Sequence, residues 1–74
     1  MLNTKETIPN RIAKFIREKR QARGETQEEL AIRALGSKKH RSYITKIENG
    51  RTIGLFTLEK ILIALESNIE FIED

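Results

Sequence analysis

The chain has 74 residues, no cysteine, 38% hydrophobic residues and a net charge of +3. This length supports one domain that removes only about 60% of its unfolded surface from water, and the lack of cysteine excludes a disulfide framework, a thiolate metal site and a thiol nucleophile. Residues 1–23 carry seven Lys or Arg and two Glu, whereas residues 54–74 carry one Lys and five acidic residues. This asymmetry suits a chain that turns its basic part toward a polyanion, but it fits a solvated basic helix face equally well.

The first helix is predicted from apolar residues that recur at spacings of three and four: Ile8, Ile12, Phe15 and Ile16. We expect it to run from about Pro9 to Arg23, with Thr7 or Asn10 as its N-cap. Gly24 follows a basic stretch and can take the left-handed conformation that ends a helix.

The second helix is predicted to start at Gln27. Thr26 and Glu29 have the spacing of a capping box, in which each side chain bonds to the backbone N–H of the other. A short apolar face follows, made of Leu30, Ala31 and Ala34.

The third helix is predicted over Lys38–Asn49, with Ser37 as its cap and Gly50 as its end. Ile44 and Ile47 are expected to face the core of the domain, because they lie about one turn apart.

The fourth helix is predicted after a loop at Arg51–Phe56, with Thr57 as its N-cap. Its apolar face comprises Leu58, Ile61, Leu62 and Leu65. The last apolar stretch, Ile69–Ile72, has β-branched and aromatic residues with a weak period of two, which is compatible with a short strand. Such a strand needs a partner, and the simplest is the same segment of a second copy.

Two boxes are more specific than this periodicity: Thr26-Gln-Glu-Glu-Leu-Ala31 and Ser42-Tyr-Ile-Thr-Lys-Ile-Glu-Asn-Gly50. With them, roughly residues 10–66 resemble the Cro/repressor-type (XRE) helix-turn-helix family. The resemblance implies an all-α fold, a compact four- to five-helix repressor-like domain, to which a short C-terminal strand for dimerisation is added. We expect an N-terminal arm at 1–8, the DNA-binding domain at 9–67 and a strand-like tail at 68–74.

The resemblance also implies two classes of DNA contact. The base-reading candidates, on the third helix in the major groove, are Arg41, Ser42, Thr45 and Lys46. The phosphate-contacting candidates are Gln27, Lys38, Lys39, Tyr43, Asn49 and Arg51. Structural alternatives stay open: Gln27 can belong to a capping network, Tyr43 can pack on the scaffold, and Asn49 with Arg51 can mark helix termination and a solvated charge.

Three further features concern the scaffold. Arg20 and Glu48 match a pair that forms a partly buried, structural salt bridge in this family. Glu25 stands where the family usually has an apolar residue, so we expect a more exposed corner there. About three extra residues precede Tyr43, and the segment Leu35–Arg41 must therefore hold a longer turn or an added turn at the start of the recognition helix.

The leading hypothesis is a transcriptional regulator that binds double-stranded DNA at a palindromic operator as a homodimer. The segment from Gly54 to Phe71 resembles the end of HipB-type antitoxins, which raises a second hypothesis in which a toxin is a protein partner. A third is a protein-interaction module that keeps this fold without binding DNA.

Other functions are disfavoured. The chain has no Gly-rich phosphate loop and only one histidine, His40, so we expect neither enzymatic activity nor a cofactor or metal. No apolar run approaches the roughly 20 residues that span a membrane, and residues 1–7 lack the apolar centre of a signal peptide. We therefore expect a cytoplasmic protein without membrane contacts.

Overall fold

The computed structural model describes residues 7–66, which form four α-helices and one 3₁₀ turn. The helices are α1 (Ile8–Ala22), α2 (Gln27–Leu35), α3 (Arg41–Glu48) and α4 (Leu55–Ala64), and the 3₁₀ turn at Lys38–His40 leads directly into α3. The predicted all-α fold is confirmed. The strand predicted at Ile69–Ile72 and the tail at 68–74 lie outside the described residues.

The first helix begins and ends within one residue of its predicted bounds, and α2 begins at Gln27 as predicted. Thr7 is the N-cap of α1, but its side chain makes no capping hydrogen bond. At the start of α2 the capping box is complete, because Thr26 Oγ1 accepts from the Glu29 amide at 3.0 Å and Glu29 Oε1 accepts from the Thr26 amide at 2.8 Å. Gly36 ends α2 with a φ of 85°, a left-handed value that favours glycine.

The predicted third helix divides into two parts. Ser37 has an extended backbone, and its Oγ accepts from the Lys39 amide at 3.1 Å. This cap starts the 3₁₀ turn, and α3 continues from Arg41. The extra residues therefore form an added turn at the entrance of α3. Gly50, with a φ of 81°, follows the C-cap residue Asn49 and turns the chain away.

The prediction that Thr57 caps α4 is wrong. The helix starts at Leu55, its N-cap is Gly54, and the Gly54 carbonyl accepts from the Leu58 amide at 2.9 Å. The apolar pattern marks where the buried face begins, at Leu58, whereas the helix itself starts nearly a turn earlier with exposed residues.

Every helix contributes one large, fully buried side chain to a shared core: Ile16, Leu30, Ile44 and Ile61. Contacts join α3 to both α1 and α2, and α2 to α4. Ile47 is also buried, so the predicted core positions of α3 are confirmed. Burying a side chain of this kind stabilises the fold by about 1.5–3 kcal/mol, which fixes the inner face of α3 and thereby the direction of its outer face.

Candidate nucleic-acid interface

The outer face of α3 carries polar side chains that follow one another at helical spacing. Thr45, Lys46 and Asn49 come three, four and seven residues after Ser42, so the four side chains lie on one side of the helix. Thr45 is half-buried and the other three are exposed. Arg41, the first residue of α3, is exposed as well. The structure therefore brings the four base-reading candidates to the solvent side of α3: Arg41, Ser42, Thr45 and Lys46.

The added 3₁₀ turn places cations before this face. Lys38 and Lys39 are exposed, and so is His40 beside them. The His40 ring lies 5.8 Å from the Tyr43 ring at an interplanar angle of 40°. Tyr43 thus contacts the added turn, and its side chain is still exposed.

Another cation lies beyond the opposite end of α3. The Arg51 amide donates to the Lys46 carbonyl at 3.0 Å, so the turn at Gly50 brings Arg51 back alongside the last turn of the helix. The Arg51 and Asn49 side chains are both exposed. Basic residues therefore flank α3 at its start and at its end.

Arg20 and Glu48, the predicted structural pair, are in contact. Arg20 Nε donates to Glu48 Oε2 at 2.6 Å and Nη2 donates to Oε1 at 3.0 Å. The third donor, Nη1, reaches the Glu25 carbonyl at 2.7 Å. The side chains are only 11% and 4% exposed, and the hydrogen bond to Glu48 raises the pKa of Arg20 against the opposing effect of burial. This bidentate pair joins α1 to the end of α3.

Gln27, the first residue of α2, extends the same network. Its Nε2 donates to Glu48 Oε1 at 3.1 Å, and its Oε1 accepts from Thr45 Oγ1 at 3.0 Å. A phosphate candidate is therefore bonded directly to a base-reading candidate. Sequence reasoning missed this hydrogen bond, because two residues 18 positions apart give no periodic signal.

The expectation of a more exposed corner at Glu25 is wrong. The Glu25 side chain is 11% exposed, and its two oxygens accept from Arg33 Nε at 2.7 Å and Arg33 Nη2 at 2.9 Å. These hydrogen bonds lower the pKa of Glu25 although partial burial opposes the shift. Arg33 Nη1 also donates to the Ala64 carbonyl at the end of α4. A charged pair thus joins the turn before α2 to α4, where the family usually has an apolar residue.

Polar groups in the described part are otherwise satisfied, since residues 7–66 contain no buried side-chain nitrogen or oxygen without a partner. The same residues contain no group of His, Asp or Glu side chains placed to hold a metal ion. None of the helices described is both long and apolar enough to span a membrane.

Comparison with known proteins gives a match to a family model. The family model described as helix-turn-helix matches residues 16–72, which include α2, α3, α4 and the second half of α1. No curated protein and no solved structure matches the chain significantly.

Proposed function

Since the chain belongs to the helix-turn-helix family of the Cro/repressor (XRE) type and is a DNA-binding regulator of that type, we propose that it binds a palindromic operator as a homodimer. In this proposal α3 lies in the major groove of each half-site, and the two half-sites are about one helical turn of DNA apart. The observation that carries the proposal is the outer face of α3, which is polar and has cations at both ends.

We assign base reading to the exposed polar residues of α3. Arg41 has the planar donor pair that matches O6 and N7 of guanine, and Lys46, more than one turn later, can donate to the same acceptors. Ser42 lies between them and offers a hydroxyl. Because these side chains project from a helix that is held on two sides by α1 and α2, the bases they reach depend on how the helix is docked.

Phosphate contacts set that docking. Gln27 lies beside α3 at the start of α2, and Arg51 returns to its last turn. Lys38 and Lys39 on the added turn are further phosphate candidates, with Tyr43 and Asn49 beside them on α3. Cations at these places neutralise the backbone on either side of the groove and fix the register without reading sequence.

Exposed apolar side chains on α4 support the homodimer. Leu55, Phe56 and Ile63 are 77%, 82% and 66% exposed, and Phe56 and Ile63 lie two turns apart on one face. A second copy would cover such residues. The hypothesis of a toxin partner stays a prediction, since the segment that suggests it extends beyond the described residues.

Binding to DNA at several salt concentrations tests the proposal directly. We expect the chain to select one palindrome from a random pool and to lose affinity steeply as salt rises. Lys46→Ala should change the selected bases, whereas Arg51→Ala should weaken binding to all sequences alike and leave the selected bases unchanged. Weak binding that does not respond to salt or sequence would favour an interaction module instead.

A further inference from the structure

In the hydrogen bonds around Gln27, chemistry fixes which group donates and which accepts. Glu48 receives the donors of Arg20 at 2.6 and 3.0 Å, and a carboxylate in that position can only accept. Gln27 must therefore turn its NH₂ group toward Glu48, as the Nε2 to Oε1 distance of 3.1 Å shows. The side-chain carbonyl of Gln27 consequently faces the opposite way, toward Thr45.

This orientation determines what the Thr45 hydroxyl can do. The Gln27 carbonyl has no proton, so the 3.0 Å contact requires Thr45 Oγ1 to donate. A hydroxyl has one proton and two lone pairs. Once the proton is used inside the protein, only the lone pairs are left for a ligand.

We infer that Thr45 reads a base only as a hydrogen-bond acceptor, and that Gln27 is the residue that prevents the Thr45 hydroxyl from donating to a base. This inference rests on the proposed docking of α3 in the major groove. The major groove offers donors in the exocyclic amino groups of adenine (N6) and cytosine (N4). Guanine N7 and O6 and thymine O4 are acceptors, so they cannot pair with this hydroxyl. Thr45 therefore favours an amino group at its position and discriminates against a keto group.

Ser42 provides an internal comparison. It lies one turn before Thr45 on the same face, its side chain is exposed, and within the described residues its hydroxyl has no hydrogen-bond partner. Ser42 can therefore donate or accept, whereas Thr45 can only accept. Two hydroxyl groups on one helix face thus have different reading rules, and the difference comes from Gln27.

The test removes single functional groups from both partners. The operator is first selected from a random pool, and each adenine is then replaced by purine, which lacks N6, each cytosine by 2-pyrimidinone, which lacks N4, and each guanine by 7-deazaguanine, which lacks N7. Binding of the wild type is compared with Thr45→Val, which removes the hydroxyl but keeps the side-chain shape, and with Thr45→Ser, which keeps the hydroxyl.

The expected result is one amino deletion that weakens wild-type binding about two- to tenfold, the effect of a single hydrogen bond. The same deletion should not weaken DNA binding by Thr45→Val, whereas it should weaken binding by Thr45→Ser as much as binding by the wild type. Coupling of the Thr45 hydroxyl to guanine N7, or to no group at all, would overturn the inference and leave the proposed function standing. Loss of salt-dependent binding in the wild type itself would overturn both.

Gln27→Ala tests the cause of the polarity. Without Gln27, the Thr45 hydroxyl can also donate, so the preference for an amino group at this one position should relax. Removing a phosphate ligand lowers the affinity for all DNA sequences alike, so that effect of Gln27→Ala cancels in the ratio between bases. If the ratio of affinities for the different bases at this position is unchanged in Gln27→Ala, Gln27 does not set the hydrogen-bonding direction of Thr45. If Gln27→Ala folds poorly, the Thr45 variants still decide whether Thr45 acts as an acceptor.

Discussion

Replacing Glu48 with alanine would remove the carboxylate at which α1, α2 and α3 meet. Glu48 accepts three hydrogen bonds, two from Arg20 and one from Gln27. Without it, two donors of the Arg20 guanidinium, a side chain only 11% exposed, have no acceptor. Breaking a buried ion pair by removing one partner costs about 3–5 kcal/mol, because the other charge is left buried.

This destabilisation is large for a chain of this size. At about 0.05–0.15 kcal/mol per residue, the free energy of unfolding should be about 4–11 kcal/mol. One kcal/mol corresponds to about 4–8 °C in a domain of 60–100 residues, so the melting temperature of Glu48→Ala should fall by at least about 12 °C. Thermal unfolding followed by far-UV circular dichroism measures this directly.

Two variants show whether the isolated charge is the cause. Glu59→Ala removes an exposed carboxylate from α4 and should change the free energy of unfolding by at most about 0.5 kcal/mol. Arg20→Met combined with Glu48→Leu removes both charges and should be more stable than Glu48→Ala. A Glu48→Ala protein that melts within a few degrees of the wild type would refute the reasoning, and a double variant no more stable than the single would attribute the destabilisation to packing.

Three further perturbations address charge, DNA and self-association. Arg33 lowers the pKa of Glu25 in the folded state below its ordinary value of 4.5, so ionised Glu25 stabilises the fold at neutral pH and this contribution disappears as the pH falls through the lower folded-state pKa. The free energy of unfolding in urea should therefore change less between pH 7 and pH 3 in Glu25→Gln than in the wild type. Equal changes in the two proteins would contradict the pairing of Glu25 with Arg33. Arg51→Ala should weaken binding to all operators alike and reduce the slope of log K against log salt by about 1, whereas a change in the selected bases would contradict a phosphate role. Phe56→Glu should shift the protein toward monomer in sedimentation equilibrium, whereas Lys14→Ala, a change at an exposed residue of α1, should not. An unchanged dimer in Phe56→Glu would place the interface elsewhere.

Local sequence signals predicted a helix boundary well where the capping residues lie close together in the sequence. The capping box of Thr26 and Glu29 fixed the start of α2, because both hydrogen bonds form within four residues. The start of α4 was not predicted, because its first residues give no such local signal. Leu55 and Phe56 are exposed, so they do not extend the amphipathic pattern, and Thr57 resembled a cap although it lies inside the helix.

Contacts between distant residues could not be predicted from spacing. The pairing of Arg20 with Glu48 was expected only from the family resemblance, since 28 residues separate them. Glu25 was expected to be more exposed because an isolated carboxylate avoids burial. Its burial follows from Arg33, whose guanidinium matches both carboxylate oxygens, and this match becomes visible only when α2 is folded against the preceding turn.

The two interpretations of Gln27, as a phosphate contact and as a member of a structural network, are compatible. A side-chain amide has two N–H groups and one carbonyl. The hydrogen bonds to Glu48 and Thr45 use one N–H and the carbonyl, which leaves the second N–H for a phosphate oxygen. A phosphate bound there would be connected through Gln27 to the hydroxyl of Thr45, so the contact that positions the DNA backbone and the contact that reads a base would share one amide.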